Sequence, residues 1–496
     1  MTAASASRGV GRAALALCPV WDWQRPHLGL ACLRSVTVAR GWEAETYDFN
    51  LEFVGRAATD LKASLSRRGS GDSIRLTAVM AEHLRQTLDG AGGGETTDGL
   101  GKVLSREVVR AAETLAAAKP DVVGFSAYAS NMAFTLCVAR AFKGLHPQGR
   151  VVLGGPQASA YAVRVVDAYP FVDYVVTGEG EETWLALLRF LEGSGECPEQ
   201  GLATRTPSGE ATWRPRPTVL ADIGGLPIPD FGPTPPCGYA TPALPLEWSR
   251  GCVGRCTFCA ERGYWVTYRP KPTERVVEEI ERLSDGYATV FFAANDSLLN
   301  GSVRQLFGIC QRLTKRRPPV FWGGYARVKG MTPELLSLMG RAGCRHLFYG
   351  IESASPALLE AMGKDVTVKR MSDVLRWTSE AGIRAYGSFI VGLPGETETD
   401  VDQTLRFLER NSPYLAGVVF TVYRVDPASI DYARRQAGGP DDEKDRLLGL
   451  PPRLKGEDAT RRLDLRRRVQ ARVHGELGIR SHGTEELVAS TFMTEL

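Results

Sequence analysis

Cys252, Cys256 and Cys259 stand at spacings of four and three residues in the stretch SRGCVGRCTFCAERGYW, Ser249 to Trp265, with glycines on both sides and no fourth cysteine beside them. Three thiols this close together suit metal binding, because coordination lowers their pKa, and the choice lies between zinc and an iron–sulfur cluster. Structural zinc takes four ligands, usually as pairs from two places in the chain, and no second Cys or His pair of matching spacing is present. A cubane cluster held by three cysteines keeps one iron open, able to chelate a small molecule through an amine and a carboxylate. The pattern suits that chemistry better than zinc. Cys18, Cys32, Cys137, Cys197, Cys237, Cys310 and Cys344 are scattered. All but Cys197, which reads as a loop residue, sit in apolar or helical surroundings where a small buried thiol is expected. Without a disulfide framework the expected compartment is reducing, hence cytoplasmic.

The elements that must position the triad form a βα series. ALPLEWSR from 243, TVFFAAND, VFWGGYAR, HLFYGIES, AYGSFIVGLPG and GVVFTVYRV read as six strands, with helices such as 273–284, 302–315, 333–342 and 368–381 between them. The series predicts a (β/α)6 partial TIM-type barrel over 243–430, with chemistry at the C-terminal ends of its strands. Ahead of it, short apolar runs at 11–20, 43–50, 120–129, 150–158 and 172–178 alternate with helical segments at 28–40, 131–144, 160–168 and 180–192. That alternation predicts a Rossmann-like doubly wound parallel sheet over 1–200. A helical insertion at 55–118 includes LTAVMAEHLRQTL, REVVRAAETLAAA and a flexible loop, DGAGGGETTDG. Residues 201–242 read as a hairpin and a Pro-rich linker holding the domain boundary, and 431–496 as a helical C-terminal region that is either a cap or a substrate lid. The fold class is therefore α/β.

At 496 residues the chain exceeds one ordinary core, and about 100 to 200 residues per domain points to two sizeable domains. No run approaches the ~18 apolar residues of a membrane helix, and the first residues, MTAASASRGVGRAALALCPVWDW, imitate a signal peptide but read as a first strand. A net charge of +3 gives no overall basic field, so no nucleic-acid partner is implied. The basic run at 461–472 reads as the solvated face of a helix.

With these residues in place the chain resembles the radical S-adenosylmethionine (SAM) enzymes, whose signature is CxxxCxxC after a first barrel strand with an aromatic residue, here Phe258, before the last cysteine. HLFYGIESAS resembles the family's fourth-strand segment, which implies that Glu352 contacts the SAM ribose. GSFIVGLPGETETD resembles the fifth-strand turn, in which Gly392, Pro394 and Gly395 shape the adenosine pocket. FFAANDSLLNG lies where the second strand places polar groups near the methionine end of SAM, which makes Asn295 and Asp296 candidates there, although it departs from the family's Gly-Gly-Glu pattern.

The first domain resembles the cobalamin-binding half of cobalamin-dependent radical SAM proteins, through RPHLGLACLRSVTVARGWEAETYDFN, PDVVGFSAYASNMAFTLCVARAFK, VVLGGPQAS and VDYVVTGEGEETWLALL. The resemblance covers roughly residues 12–425. It implies that Ser126, Gly154, Gly155, Gly178, Gly180 and Glu181 lie along cobalamin. The motif DxHxxG is absent, so no histidine is expected below cobalt, and His27 reads as a helix-start or packing residue. The cofactors implied are a [4Fe–4S] cluster, SAM and cobalamin, and the reaction implied is radical C-methylation of a small-molecule or peptide intermediate of specialised metabolism. An electron donor such as flavodoxin or ferredoxin is implied as a partner. Trp322, Tyr325 and Arg327 are the substrate-pocket candidates. A non-methylating cyclisation or rearrangement would use the same residues. A tRNA methylthiotransferase would need a second cysteine triad at strand ends, where only Cys18 stands. A non-catalytic cobalamin-binding protein would have no use for an open iron.

Overall fold

The computed structural model describes residues 10–56, 99–216, 219–233, 237–423 and 457–479, with a few positions between. Most of LTAVMAEHLRQTL, most of the glycine-rich loop and most of 424–456 lie outside the described residues.

The first domain is a sheet whose strands run β1 (Arg12–Leu17), β2 (Glu43–Asp48), β3 (Val122–Ser126), β4 (Arg150–Gly154) and β5 (Tyr174–Val176). Its helices are α1 (Leu28–Ala39), α2 (Phe49–Arg56), α3 (Gly99–Ala118), α4 (Met132–Leu145), α5 (Pro156–Ala160), α6 (Ala162–Ala168) and α7 (Gly180–Glu192). Strand β1 pairs in parallel with both β2 and β3, so the order 2-1-3-4-5 reverses between β1 and β3. A crevice opens at such a reversal, outside the carboxyl ends of the strands. The loops leaving β1, β3, β4 and β5 all border it. The expected hairpin joins the first sheet: β6 (Leu202–Arg205) pairs antiparallel onto β5 and β7 (Ala211–Trp213) antiparallel onto β6, extending the same sheet. Val175 and Val176 are buried in the core, and the added hairpin satisfies the backbone of what would otherwise be an open edge.

The second sheet runs in parallel in the order 8-11-12-13-14-15. Its strands are β8 (Leu244–Leu246), β11 (Phe291–Ala294), β12 (Phe321–Ala326), β13 (Cys344–Glu352), β14 (Arg384–Val391) and β15 (Leu415–Val422). A two-residue ribbon, β9 (Ser249–Arg250) with β10 (Arg269–Pro270), frames the cysteine loop and the short helix α8 (Glu261–Trp265). Around the sheet lie α9 (Thr273–Tyr287), α10 (Val303–Leu313), α11 (Pro333–Arg341), α12 (Pro356–Ala361), α13 (Val368–Glu380) and α14 (Glu398–Asn411). Their starts are written in the sequence: Ser302, Thr332, Ser355, Thr367 and Thr397 each accept a hydrogen bond from a backbone N–H of the first turn. Such caps satisfy donors that have no partner inside the helix. The last helix, α15 (Glu457–Gly475), buries Val469 and Val473 against the barrel core.

Gly251 joins β9 to Cys252 at φ +80°, and a Cβ there would lie 2.4 Å from the Thr267 carbonyl oxygen. Only glycine accommodates both the left-handed backbone and the close approach. Gly251→Ala is therefore expected to lower stability by about 2 kcal/mol, read as a lowered urea midpoint. An unchanged midpoint would show that the cysteine loop does not need this geometry.

Candidate active site

The cysteine loop hangs between β9 and α8, and its three thiols are partly buried. Gly254 N–H points at Cys252 Sγ at 3.2 Å, and the Thr257 N–H donates to the Met362 carbonyl, tying the loop to the end of α12. Burial pushes the Cys259 thiol up to about 12 and raises Cys256, against the opposing pull of Lys364 and Arg327. Those two cations would stabilise thiolate charge on Cys256. Among the described residues no group of three or more His, Cys, Asp or Glu is placed to hold a metal ion. A cubane, by contrast, takes each thiolate on a separate iron.

Glu352 closes β13 at φ +66°, on an irregularity of the ladder. Its carboxylate pairs with Lys364 at 3.2 Å and accepts from the Ser388 hydroxyl at 3.4 Å. Lys364 also donates to the Gly350 carbonyl. A non-glycine residue in the left-handed region persists only where its surroundings hold it, and such residues gather at ligand sites. Phe258 packs on the barrel core. Gly392, at φ +77°, donates its N–H to Glu396 at 2.5 Å, and a Cβ on it would meet the Arg462 side chain at 2.7 Å. The turn that includes Pro394 and Gly395 is thus covered by the C-terminal helix. Asn295 is exposed at the end of β11, anchored by its N–H to the Leu246 carbonyl.

Asp296 departs from expectation. It is 2% exposed, and its carboxylate accepts from the Trp248 N–H and the Ser249 hydroxyl, so it bolts β11 to the strand end that carries the cysteine loop. Burial raises its pKa to about 7. Trp322 is likewise no pocket residue: it is fully buried and donates its indole N–H to the Ala342 carbonyl. Tyr325 faces the other side of β12. It leaves 46% of its surface open and stands in register with Phe348 and then Tyr386, three rings in a row across β12, β13 and β14. Arg327 lies near Gly254 and Cys256, beside the thiols instead of among the aromatics.

A cavity of about 210 Å³ joins the two domains. Gly154, Gly155, Gly178, Gly180 and Ser126 line it from the first sheet, with Leu33, Val152, Val176 and Trp184 deeper inside, while Glu247, Arg250, Tyr264, Trp265 and Asn295 line it from the second. A Cβ on Gly178 would meet nothing within 4 Å, and one on Gly154 only the Val176 carbonyl at 3.8 Å. At these two positions the floor is bare backbone facing open space, which fits close approach of a broad, flat group, whereas a Cβ on Gly155 would lie 2.7 Å from the Ala127 carbonyl oxygen and one on Gly180 would touch Leu33 at 3.6 Å. His27 does start a helix: its Nδ1 accepts from Leu30 N–H at 3.1 Å, and its Nε2 reaches the Tyr128 hydroxyl at 2.9 Å. Tyr128 stacks on Trp21 at 3.7 Å.

Sequence reasoning missed the charges at this seam. Arg250 donates to Glu247, Glu179 and Glu181, and Arg269 donates to Glu179. The carboxylate of Glu181 is thereby committed to Arg250, although the residue borders the cavity. The signal available was the Glu247-x-x-Arg250 pair on a stretch otherwise apolar enough to be buried.

Two family models match the chain: the radical SAM superfamily over residues 246–408 and the B12 binding domain over 100–188. The chain is 28% identical over 337 residues to an uncharacterized methyltransferase of Pyrococcus horikoshii, covering 67% of this chain and 71% of that one. It is also 28% identical over 331 residues to the anaerobic magnesium-protoporphyrin IX monomethyl ester cyclase of Rubrivivax gelatinosus, covering 64% and 59%. The solved structure of the radical S-adenosylmethionine methyltransferase TsrM from Kitasatospora setae, with tryptophan substrate and a SAM analogue bound, superposes with TM-score 0.65 at 19% identity, covering 86% and 77%. The cobalamin-dependent enzyme OxsB with aqua-cobalamin superposes with TM-score 0.59 at 19% identity, covering 89% and 57%. At such identities the two structures speak for the fold.

Burial without a countercharge lowers the His27 pKa to about 4. Its unfolded value is higher, so the neutral ring favours folding above about pH 6.5, and that contribution is lost as pH falls toward 4. In imidazole NMR the His27 resonance should stay flat down to about pH 5; titration near 6.5 would place it in solvent.

Proposed function

We propose, from the premise that this chain belongs to the cobalamin-dependent radical SAM family, that it is a methyltransferase acting on an unactivated carbon of a small-molecule or peptide substrate. The observation that carries the reading is a cavity bounded by the glycine floor of one domain and, across from it, by residues flanking the cysteine loop of the other. In this reading Cys252, Cys256 and Cys259 hold a [4Fe–4S] cluster. Phe258, Asn295, Glu352, Gly392, Pro394 and Gly395 surround SAM, and Ser126, Gly154, Gly155, Gly178 and Gly180 lie along cobalamin.

When bound, these groups supply a carbon-centred radical for hydrogen abstraction and a methyl donor within one enclosed space. The chain's own residues prepare that space. Lys364 and Arg327 favour the charged form of Cys256. Glu352, clamped by Lys364 and Ser388, offers a fixed acceptor at the end of β13. Tyr264, donating to the Gly178 carbonyl at 3.0 Å, and the apolar wall of Leu33, Val152 and Trp184 keep water from the interior. Tyr325 is the substrate-facing candidate on the barrel side. A flavodoxin- or ferredoxin-type protein supplies the electron, and among the described residues no helix is long and apolar enough to cross a membrane.

Chain purified anaerobically from cells supplied with cobalamin should carry about four irons, with matching sulfide, and one cobalt. Incubated with reductant, methyl-labelled SAM and its substrate, it should release product bearing the label. Iron without cobalt would reduce the first domain to a scaffold. A labelled-SAM reaction whose product gains no methyl would instead favour the cyclisation chemistry named for one of the relatives. Replacing all three triad cysteines by Ala should abolish the cluster absorbance while the far-ultraviolet circular dichroism holds, and retained iron would refute the ligand set.

A further inference from the structure

The buried charges at the seam have more to do than hold two domains together. Arg250 precedes Cys252 by two residues, and each of its nitrogens meets a different carboxylate: Nε with Glu247 at 2.9 Å, Nη1 with Glu179 at 2.8 Å and Nη2 with Glu181 at 2.5 Å. Glu247 belongs to the barrel, whereas Glu179 and Glu181 flank Gly180 at the start of α7 in the first domain. All of these side chains are at most 11% exposed. Arg269, paired with Arg250 across the β9–β10 ribbon, takes Glu179 from the other side at 2.7 Å. A second tie runs in parallel, from the Tyr264 hydroxyl to the Gly178 carbonyl at 3.0 Å. Trp265, the next residue, lies under the Arg250 guanidinium at 5.5 Å.

Residues 178–181 are thus joined by two independent contacts to the segments on either side of the cysteine triad, Arg250 before it and Tyr264 after it. A guanidinium fork satisfied by three carboxylates has a fixed orientation that a lysine could not reproduce. With five charged groups buried together, a shift of one strands the others, so the cluster moves as a unit or not at all.

We infer that Arg250, with Tyr264, is a positioning residue that couples the two cofactor sites, so that a corrinoid seated on the glycine floor fixes the cysteine loop and an assembled cluster in turn tightens corrinoid binding. This rests on the cofactor assignment proposed above. Coupling of this kind is reciprocal, each site changing the affinity of the other by the same factor.

The test uses the full chain, prepared anaerobically with its cluster intact or removed by chelator, and titrated with hydroxocobalamin. The variants are Glu181→Gln, which removes one charge at nearly constant shape, and Tyr264→Phe, which removes one hydrogen bond. Arg250→Met is the more drastic companion. In the wild type, removing the cluster should weaken hydroxocobalamin binding by about tenfold, and loading hydroxocobalamin should alter the electron paramagnetic resonance spectrum of the reduced cluster. In Glu181→Gln and Tyr264→Phe both groups should still bind, with the mutual effect reduced to about threefold or less. A purely structural role would lower the melting temperature and leave the mutual effect intact, which would overturn the proposal. A wild type that binds both groups with no mutual effect would overturn the coupling alone. A wild type that takes up no hydroxocobalamin would overturn the cofactor assignment, and the coupling with it.

Discussion

A guanidinium withdrawn from water must be matched by carboxylates, and a carboxylate buried without a cation is as costly. Arg250 and Arg269 against Glu179, Glu181 and Glu247 meet that condition only when the two domains are together, because the barrel brings both guanidinium groups with Glu247 alone, and Glu179 and Glu181 come from the first domain. The seam is therefore not a surface on which two finished bodies happen to rest. It fixes how the carboxyl end of the first sheet faces the cysteine loop, and the cavity between them takes its walls from that arrangement.

Several other buried polar groups serve the same end without touching the cavity's contents. Asp296 accepts hydrogen bonds from Trp248 and Ser249 and so sets the strand end from which the cysteine loop departs. Gln305 reaches from α10 to the carbonyls of Trp248 and Lys271, on both sides of the ribbon. Lys271 is held in turn by Glu279 of α9. The loop carrying the three partly buried thiols is anchored in its middle by Phe258 on the barrel core and by the Thr257 N–H on the Met362 carbonyl, and at its two ends by satisfied polar contacts, which is how low-dielectric surroundings turn hydrogen bonds into positional constraints.

Much of this was legible in the sequence. Strand and helix runs followed the periodicity closely, because parallel strands buried on both faces read as continuous apolar segments and most barrel helices announce themselves with Ser or Thr caps, α9 after Pro272 being the exception. The cysteine spacing and the strand-end Glu352 could be singled out by residue type and place, and glycines 155, 178 and 392 take φ values of +93°, +70° and +77° that favour glycine. The seam could not be found in this way. Glu179 and Glu181 look like the acidic first turn of a surface helix, the commonest reading of such residues, and their partners lie 69 to 90 residues away on another sheet. The hairpin at 202–213 was visible as a hairpin, but its pairing with β5 depends on which edge of the sheet is open, and that is a property of the assembled sheet.

The two aromatics of β12 were separable in the sequence itself. Trp322 and Tyr325 are an odd number of residues apart on β12, so they point to opposite faces of the sheet. One must enter the layer between strands and helices, and the other must enter the barrel. Trp322 takes the first course, with its N–H satisfied by Ala342, and packs at 4.7 Å from Trp248. Tyr325 takes the second and continues the row through Phe348 and Tyr386. Arg25 and Asp22, from the loop after β1, act electrostatically on its phenol, whose pKa is raised by burial even though much of the ring surface is open. An open surface inside a crowded region is an internal face. Arg25 and Asp22 of the first domain thus lie within electrostatic reach of the barrel-side face that carries Tyr325.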